Sequence, residues 1–194
     1  RTGVRSRMAR TFVLIPSVRD IRNLDKALKS ERGEILLSTV SHIGNLADLT
    51  TLCHKSGKEV VVNHELIGGL GTDTIAFEML KKAYKVDAVI GSNVYQVSRA
   101  KAVGLKTIWR IALLDSLSLE MAFRSIEVTK PDAIELRPAI CAYEFLDAFR
   151  KVFSGKIFAS GFVSRADFAQ RLYQRGFDGI MTSSQTMWDW NAAD

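Results

Sequence analysis

Short apolar runs recur along the chain at nearly regular intervals: Phe12–Pro16, Glu34–Val40, Glu59–Asn63, Val86–Gly91, Lys106–Arg110, Asp132–Arg137, Lys156–Ser160 and Asp178–Thr182. Within them hydrophobic residues are mostly continuous rather than alternating, and several are rich in Val and Ile. A strand covered on both faces has no solvent side to keep polar, so such runs predict a parallel sheet. Helical spacing fills the intervals: Ile75, Met79, Leu80 and Ala83 share one face, Phe145, Phe149 and Phe153 another, and Phe168 and Leu172 a third. Asn93 to Gln96 and Ser164 to Asp167 have the capping-box pattern, and Asp115 stands where an N-cap belongs. Gly57, Gly104, Gly155 and Gly176 occupy the position just past a helix and before the next strand.

Eight such units in 194 residues allow about 24 residues each, against about 250 for a typical whole barrel, so the loops must be short and leave no room for a lid domain. The expected fold is α/β: a compact single-domain (β/α)8 TIM-type barrel over residues 12–194. An open doubly wound sheet is the competing arrangement. The barrel is favoured because the units are regular and the last two carry a phosphate pattern. Residues 1–11 read as a basic tail, with Met8 as a candidate natural start. Without Arg1, Arg5 and Arg7 the net charge falls from +6 to +3, so an affinity for nucleic acid should not rest on that segment.

The phosphate pattern lies in Lys156–Arg165 and Gly176–Ser184. It reads as strand, Gly-Phe turn, helix, strand, and a Thr-Ser-Ser loop opening a last short helix. In β/α barrels the loops after the last two strands and the N-terminus of a short extra helix commonly cradle phosphate, because N–H groups at a helix start lack intrahelical partners. Ser160, Gly161, Phe162, Thr182, Ser183 and Ser184 are therefore candidate ligand-binding residues. Other candidates follow from the C-terminal ends of strands, where barrels carry function. Arg19 follows the first strand and can hold an anion, or is a solvated Arg beside a helix. His64 and Glu65 follow the third and suit a hydroxyl-bearing ligand or acid/base work, or are a hydrogen-bonded turn. Arg110 ends the fifth and points into the mouth, or lies between strands with a carboxylate partner. Asp115 is better read as a cap. Glu135 and Arg137 share one face of the sixth strand, and a buried Glu135 needs a partner or ligand hydroxyls. Three cations and several acceptors near one mouth suit a small polyol phosphate.

No HExxH or similar metal spacing joins His42, His54 and His64, no catalytic triad or GxxxxGK[ST] loop can be assigned, and neither a catalytic residue nor a cofactor is expected. Cys53 and Cys141 read as reduced thiols of a cytoplasmic protein, and no apolar run is long enough to span a bilayer.

In this order the residues resemble the glycerol-3-phosphate-responsive antiterminator family, from about Phe12 to Trp188. Pro16-Ser-Val-Arg19 looks like its Pro-Ala-Ile-Arg, His64–Leu70 is similar to its His-Val-Asp-Leu-Ile-x-Gly region, and Arg110–Asp115 looks like Arg-Ile-Phe-Leu-Leu-Asp. Glu135–Ala139 is similar to Glu-Val-Leu-Pro-Gly, Ala159–Val163 to Ala-Gly-Gly-Phe-Ile, and Thr182-Ser-Ser with Trp188 to the Thr-Thr-Ser-Asn…Leu-Trp ending. The resemblance implies a small barrel that binds glycerol 3-phosphate and leader RNA of glycerol-utilisation transcripts, preventing termination when the effector is bound. The chain departs from the pattern at Glu65, Ser92, Asn93, Arg137, Ala139, Ser160 and Gln185; Arg137 and Ser160 bear on the size and charge of the effector. The rival classes are a barrel isomerase or lyase on a sugar phosphate, with Glu65, Glu135 or His64 as base, and a diverged ligand sensor without RNA binding. No RNA-binding motif is visible. Lys81, Lys82 and Lys85, Arg150 with Lys151, and Arg165, Arg171 and Arg175 are the basic clusters, read first as solvated helix faces. Trp188 and Trp190 are expected to pack the last helix, with base stacking the alternative. The expected partners are a small phosphorylated effector and leader RNA, with a homodimer as a further assembly and no membrane.

Overall fold

The computed structural model describes residues 11–193; the basic N-terminal tail, including Arg1, Arg5, Arg7 and Met8, lies outside the described residues apart from its last position. The strands are β1 (Val13–Val18), β2 (Glu34–Leu37), β3 (Glu59–Asn63), β4 (Ala88–Gly91), β5 (Lys106–Ala112), β6 (Ala133–Arg137), β7 (Lys156–Ser160) and β8 (Gly179–Thr182). They are parallel and form a closed barrel in sequence order. The helices are α1 (Leu24–Lys29), α2 (Leu46–Lys55), α3 (Thr74–Lys82), α4 (Val94–Ala102), α5 (Ser116–Thr129), α6 (Ala139–Val152) and α7 (Ala166–Arg175). A single 3-10 turn, Gln185–Met187, follows β8 where a last helix was expected.

Two cores explain the continuous apolar runs. Ile15, Leu36, Val61, Ala88, Ile90, Ile108, Ala133, Phe158 and Met181 point inward and fill the barrel. Alternate residues such as Leu14, Ile35, Val60, Val89, Ile134 and Ile157 point outward into the layer under the helices. Each strand thus spends both faces on burial. Cys53 lies in that outer layer, and burial pushes its thiol up to about 11; both cysteines are free.

At the rim opposite the strand C-termini an anchor recurs in every second unit. Asp87, Asp132 and Asp178 stand just before β4, β6 and β8. Their carboxylates accept the amides of Val60 (2.7 Å), Thr107 (2.8 Å) and Ile157 (2.7 Å) on the preceding strand. Each also meets a basic side chain from a preceding helix: His54 at 2.7 Å, Lys101 at 3.0 Å and Arg150 at 2.5 Å. The anchor sets each strand pair in register and ties it to its helix.

Several sequence expectations on helices need correction. The buried face of α3 is Ala76, Phe77 and Leu80, while Ile75 and Met79 are 70% and 40% exposed. Both faces of this helix carry apolar residues, and the position of the barrel decides between them. Helix α6 buries Leu146 and Phe149, and Phe145 faces out. Asp115 makes a true capping box with Ser118, and Asn93 caps α4. Gln96 does not complete a box; its side-chain amide bonds Thr72 instead. The Ser164–Asp167 pattern is not a cap either, because α7 starts one residue later with Arg165 at the N-cap and no side-chain bond. Gly57, Gly104 and Gly176 take the left-handed conformation past their helices, but Gly155 does not. At Gly155 a Cβ would sit 2.9 Å from the Asp132 carbonyl oxygen, so close packing is the constraint there.

The barrel closes where β8 meets β1, with Val13 opposite Gly179. A Cβ on Gly179 would lie 2.1 Å from the Val13 carbonyl oxygen and under 3 Å from the Phe158 ring. Backbone cannot give way as a flexible side chain can. Gly179→Ala is expected to cost at least the upper end of the ~1–3 kcal/mol typical of overpacking, read as a lowered urea midpoint.

Candidate functional site

The C-terminal ends of the strands surround one cavity of about 770 Å³. Arg19, Arg110, Glu135, Arg137, Ser160, Gly161, Phe162, Thr182, Ser183 and Ser184 all line it, and so do Ser17, Ser38 and Ser164. Closure brings these distant segments together. Pro16 pairs with Thr182, which sets Ser17 and Arg19 beside Ser183. On the other side, a Cβ on Gly161 would be 3.9 Å from Cβ of Arg137, so β6 flanks the same turn. The Arg137–Pro138 bond beside it is cis.

Thr182 fastens the two phosphate-type loops. Its buried hydroxyl donates to the Val163 carbonyl (2.6 Å) after β7 and accepts the Ser184 amide (3.0 Å) after β8. The Trp188 indole donates to the Thr182 carbonyl at 3.0 Å and is buried, as expected of a packing residue. Trp190 packs edge-on against Phe12. Thr182 is thereby spent on architecture, and so is the Ser184 amide. The cradle differs from the expected helix start, because a 3-10 turn replaces the helix. What it offers instead is a set of amides, from Gly161, Phe162 and Ser183, that donate to no acceptor among the described residues. Gly161 and Phe162 both have positive φ, 82° and 61°. Successive amides in a turn conformation are the geometry from which anion-binding concavities are built. For a Phe this conformation is uncommon.

Deeper in the cavity Arg110 and Glu135 face each other across paired strands. Arg110 donates from Nε to Oε2 (2.5 Å) and from Nη2 to Oε1 (3.2 Å), and Glu135 is only 1% exposed. Both alternatives left open for Arg110 are realised: it has a carboxylate partner and borders the mouth. Arg19 and Arg137 form no ion pair among the described residues. With Glu135 the one carboxylate against three arginines in this wall, two positive charges stay uncompensated.

The sequence matches the family described as glycerol-3-phosphate responsive antiterminator over residues 14–188. This chain belongs to that family. Among solved structures, a glycerol uptake operon antiterminator-related protein from Thermotoga maritima is similar, with a TM-score of 0.82 and 24% identity over 93% of this chain and 99% of that one. The glycerol uptake operon antiterminator regulatory protein of Listeria monocytogenes has a TM-score of 0.85 and 22% identity over 92% and 96%. The uncharacterized protein YgcP of Escherichia coli is 22% identical over 90% of this chain and 91% of its own length. A putative deoxyribose-phosphate aldolase from Coccidioides immitis shares the barrel alone, at 7% identity and a TM-score of 0.69.

In this antiterminator-family barrel, His64 and Glu65 do not line the cavity. The His64 ring packs edge-on against Phe77 of α3, 5.1 Å between centroids, and against Gly91, where a Cβ would be 2.1 Å from its Nε2. It is 2% exposed, and neither ring nitrogen has a partner among the described residues. The 3-10 turn His64–Leu66 directs it between sheet and helices rather than into the mouth. Glu65 turns to the start of α4, accepting the Ser92 amide (2.9 Å), the Ser92 hydroxyl (2.8 Å) and the Asn93 amide (2.8 Å). The Ser92-Asn93 departure is thus one half of a local bond whose other half is Glu65. Among the described residues no cluster of His, Cys, Asp and Glu could hold a metal, and no helix is long and apolar enough to cross a membrane.

The basic clusters are largely engaged. Arg175 pairs with Asp147 (2.8 Å), Arg150 with Asp178, and Arg165 with Asp167. Arg171 instead lies over the rings of Tyr143 (5.3 Å) and Phe168 (5.8 Å). Tyr143, Arg165, Asp167, Phe168 and Arg171 line a groove of about 430 Å³ beside α6 and α7, and Phe162 borders both it and the main cavity.

Burial holds His64 below its ordinary value, despite the opposing pull of Glu65. For Glu65 burial acts upward, but the Asn93 amide, the Ser92 hydroxyl and amide, and His64 together outweigh it and leave the carboxyl lowered. A depressed histidine costs stability as pH falls through its unfolded value, because the unfolded chain takes up the proton first. Stability should therefore fall between pH 7 and pH 5 at up to about 1.4 kcal/mol per pH unit from His64. His64→Leu should flatten that limb in urea titrations and leave a second, more acidic loss in which Glu65 is protonated. Arg110→Ala strands Glu135 and should cost about 3–5 kcal/mol. Arg110→Ala with Glu135→Ala should cost less than the sum of the two single changes.

Proposed function

We infer that this chain is an effector-controlled antiterminator, which binds glycerol 3-phosphate in the cavity and leader RNA of glycerol-utilisation transcripts on its surface, in the cytoplasm and without a catalytic step. The observation that carries it is the convergence of three uncommitted amides, Gly161, Phe162 and Ser183, with two unpaired arginines, Arg19 and Arg137, on one cavity. A phosphate monoester carries about −1.5 to −2 charge near neutral pH. That balances the two uncompensated arginines, and backbone amides in a turn are suited to its oxygens.

The effector acts by binding the RNA-competent state more tightly than the other. Phe162 is where such a preference can be read. Its amide belongs to the cradle, while the residue as a whole is 88% exposed and borders the groove of the Tyr143–Arg171–Phe168 stack. A phosphate held on the Gly161 and Phe162 amides would select one backbone conformation and hence one placement of that ring. Aromatic rings and arginine planes are what unstacked RNA bases meet in proteins that bind single strands. The rival enzyme reading relied on Glu65, His64 or Glu135 as base. The first two lie away from the cavity and the third is tied to Arg110.

Glycerol 3-phosphate at about 100 times its Kd should stabilise the protein by about 2.7 kcal/mol, seen as a raised melting temperature, while glycerol should not. Leader RNA should be retained on filters only with the effector present, and less so as salt rises. Retention that ignores both effector and salt would refute the regulator, and turnover of a sugar phosphate would reinstate the enzyme.

A further inference from the structure

Ser160 ends β7 with its side chain toward the cavity. It is 5% exposed, and its Oγ has no hydrogen-bond partner among the described residues. A buried hydroxyl left unpaired costs about 1–3 kcal/mol, and such groups are few in native proteins.

Strand register gives its neighbours. Phe158 pairs with Glu135 and Ala159 with Leu136. Ser160 therefore lies one inward step nearer the mouth than the Arg110–Glu135 pair, beside Arg137. The next residue, Gly161, carries one of the amides assigned to phosphate. By register this wall presents the buried Phe158 ring level with the Arg110–Glu135 pair, the Ser160 hydroxyl one step nearer the mouth, and then the cradle amides. A phosphate on the cradle would have Ser160 and Glu135 within the same cavity, next along the wall, for its carbon chain to meet. Arg110 uses one lone pair on each Glu135 oxygen, so each oxygen can still accept, and Arg110 keeps unused N–H donors. A hydroxyl on that chain finds an acceptor in Glu135 and a donor in Ser160 or Arg110.

We propose that Ser160 and the Arg110–Glu135 pair form a hydroxyl-reading subsite, through which this chain selects phosphate monoesters with a hydroxylated carbon chain over deoxy analogues of the same length. The inference rests on the phosphate placement of the preceding subsection. Selection comes from bonds that the hydroxyl alone supplies: with a methylene in its place Ser160 keeps its unpaired hydroxyl and Glu135 gains no further donor.

Calorimetric titration of the wild type and Ser160→Ala with glycerol 3-phosphate, n-propyl phosphate and inorganic phosphate tests it. The wild type should prefer glycerol 3-phosphate to n-propyl phosphate by at least about tenfold, and Ser160→Ala should cut that preference at least about threefold by weakening the hydroxylated ligand alone. Ligand-free Ser160→Ala should melt no lower than the wild type, since it loses an unpaired hydroxyl and no bond. Ser160→Gly, which deletes the same group, should reproduce the ratio if the alanine variant folds poorly. Equal wild-type affinity for the two esters, or a ratio unmoved in both variants, overturns the subsite while leaving the phosphate placement intact. Binding of neither ester removes both.

Discussion

Closure of β8 onto β1 is the contact on which the rest of the molecule depends. It joins the two ends of the chain, so no local sequence preference can produce it. It succeeds because Gly179 lets the Val13 backbone come within a distance that any side chain would forbid. Once it forms, Ser17 and Arg19 stand beside Ser183, and the cavity acquires a continuous wall. The Asp87, Asp132 and Asp178 anchors serve the same end from the opposite rim, pinning strand pairs in the register that closure requires.

Polarity inside the barrel follows the same geometry. The lower layers are apolar, while the layer at the mouth carries Arg110, Glu135 and Ser160. A charge there is tolerable only if paired, and Glu135 is held by Arg110 in a bidentate bond. The two other arginines sit higher, where water can reach them. The wall is thus neutral at depth and positive at the rim, an arrangement that draws an anion to the rim and presents hydrogen-bonding groups beneath it. Thr182 keeps the two loops from drifting apart, so the cradle is held by side-chain chemistry rather than by a helix.

His64 and Glu65 show why rim position alone is a poor guide to function. A polar pair after a strand of a predicted barrel has the same sequence signature whether it faces ligand, helix or neighbouring loop. The following 3-10 turn sends one residue behind the wall and the other to the start of α4. Ser92 and Asn93 held the clue, since an acceptor among residues 63–66 and donors at a helix start form a natural pair. No spacing rule joins segments that distant. Ser17 and Ser38 were missed for a related reason: a lone serine near a strand end carries no pattern.

Hydrophobic period and run length alone determined the order of strands and helices, the two-sided burial of the sheet and most strand boundaries, because those depend on local spacing. The grouping of Arg19, Arg110, Arg137 and the Gly161 and Ser183 turns also followed from sequence, once eight parallel units were accepted as a barrel with one functional rim. The tertiary structure alone decided which apolar face of α3 turns inward, which polar residues were consumed by Thr182 or by α4, and that Ser160 is buried with an open hydroxyl. Each of these turns on angles and distances between segments far apart in the chain, which depend on how the whole barrel packs and not on any stretch of residues within it.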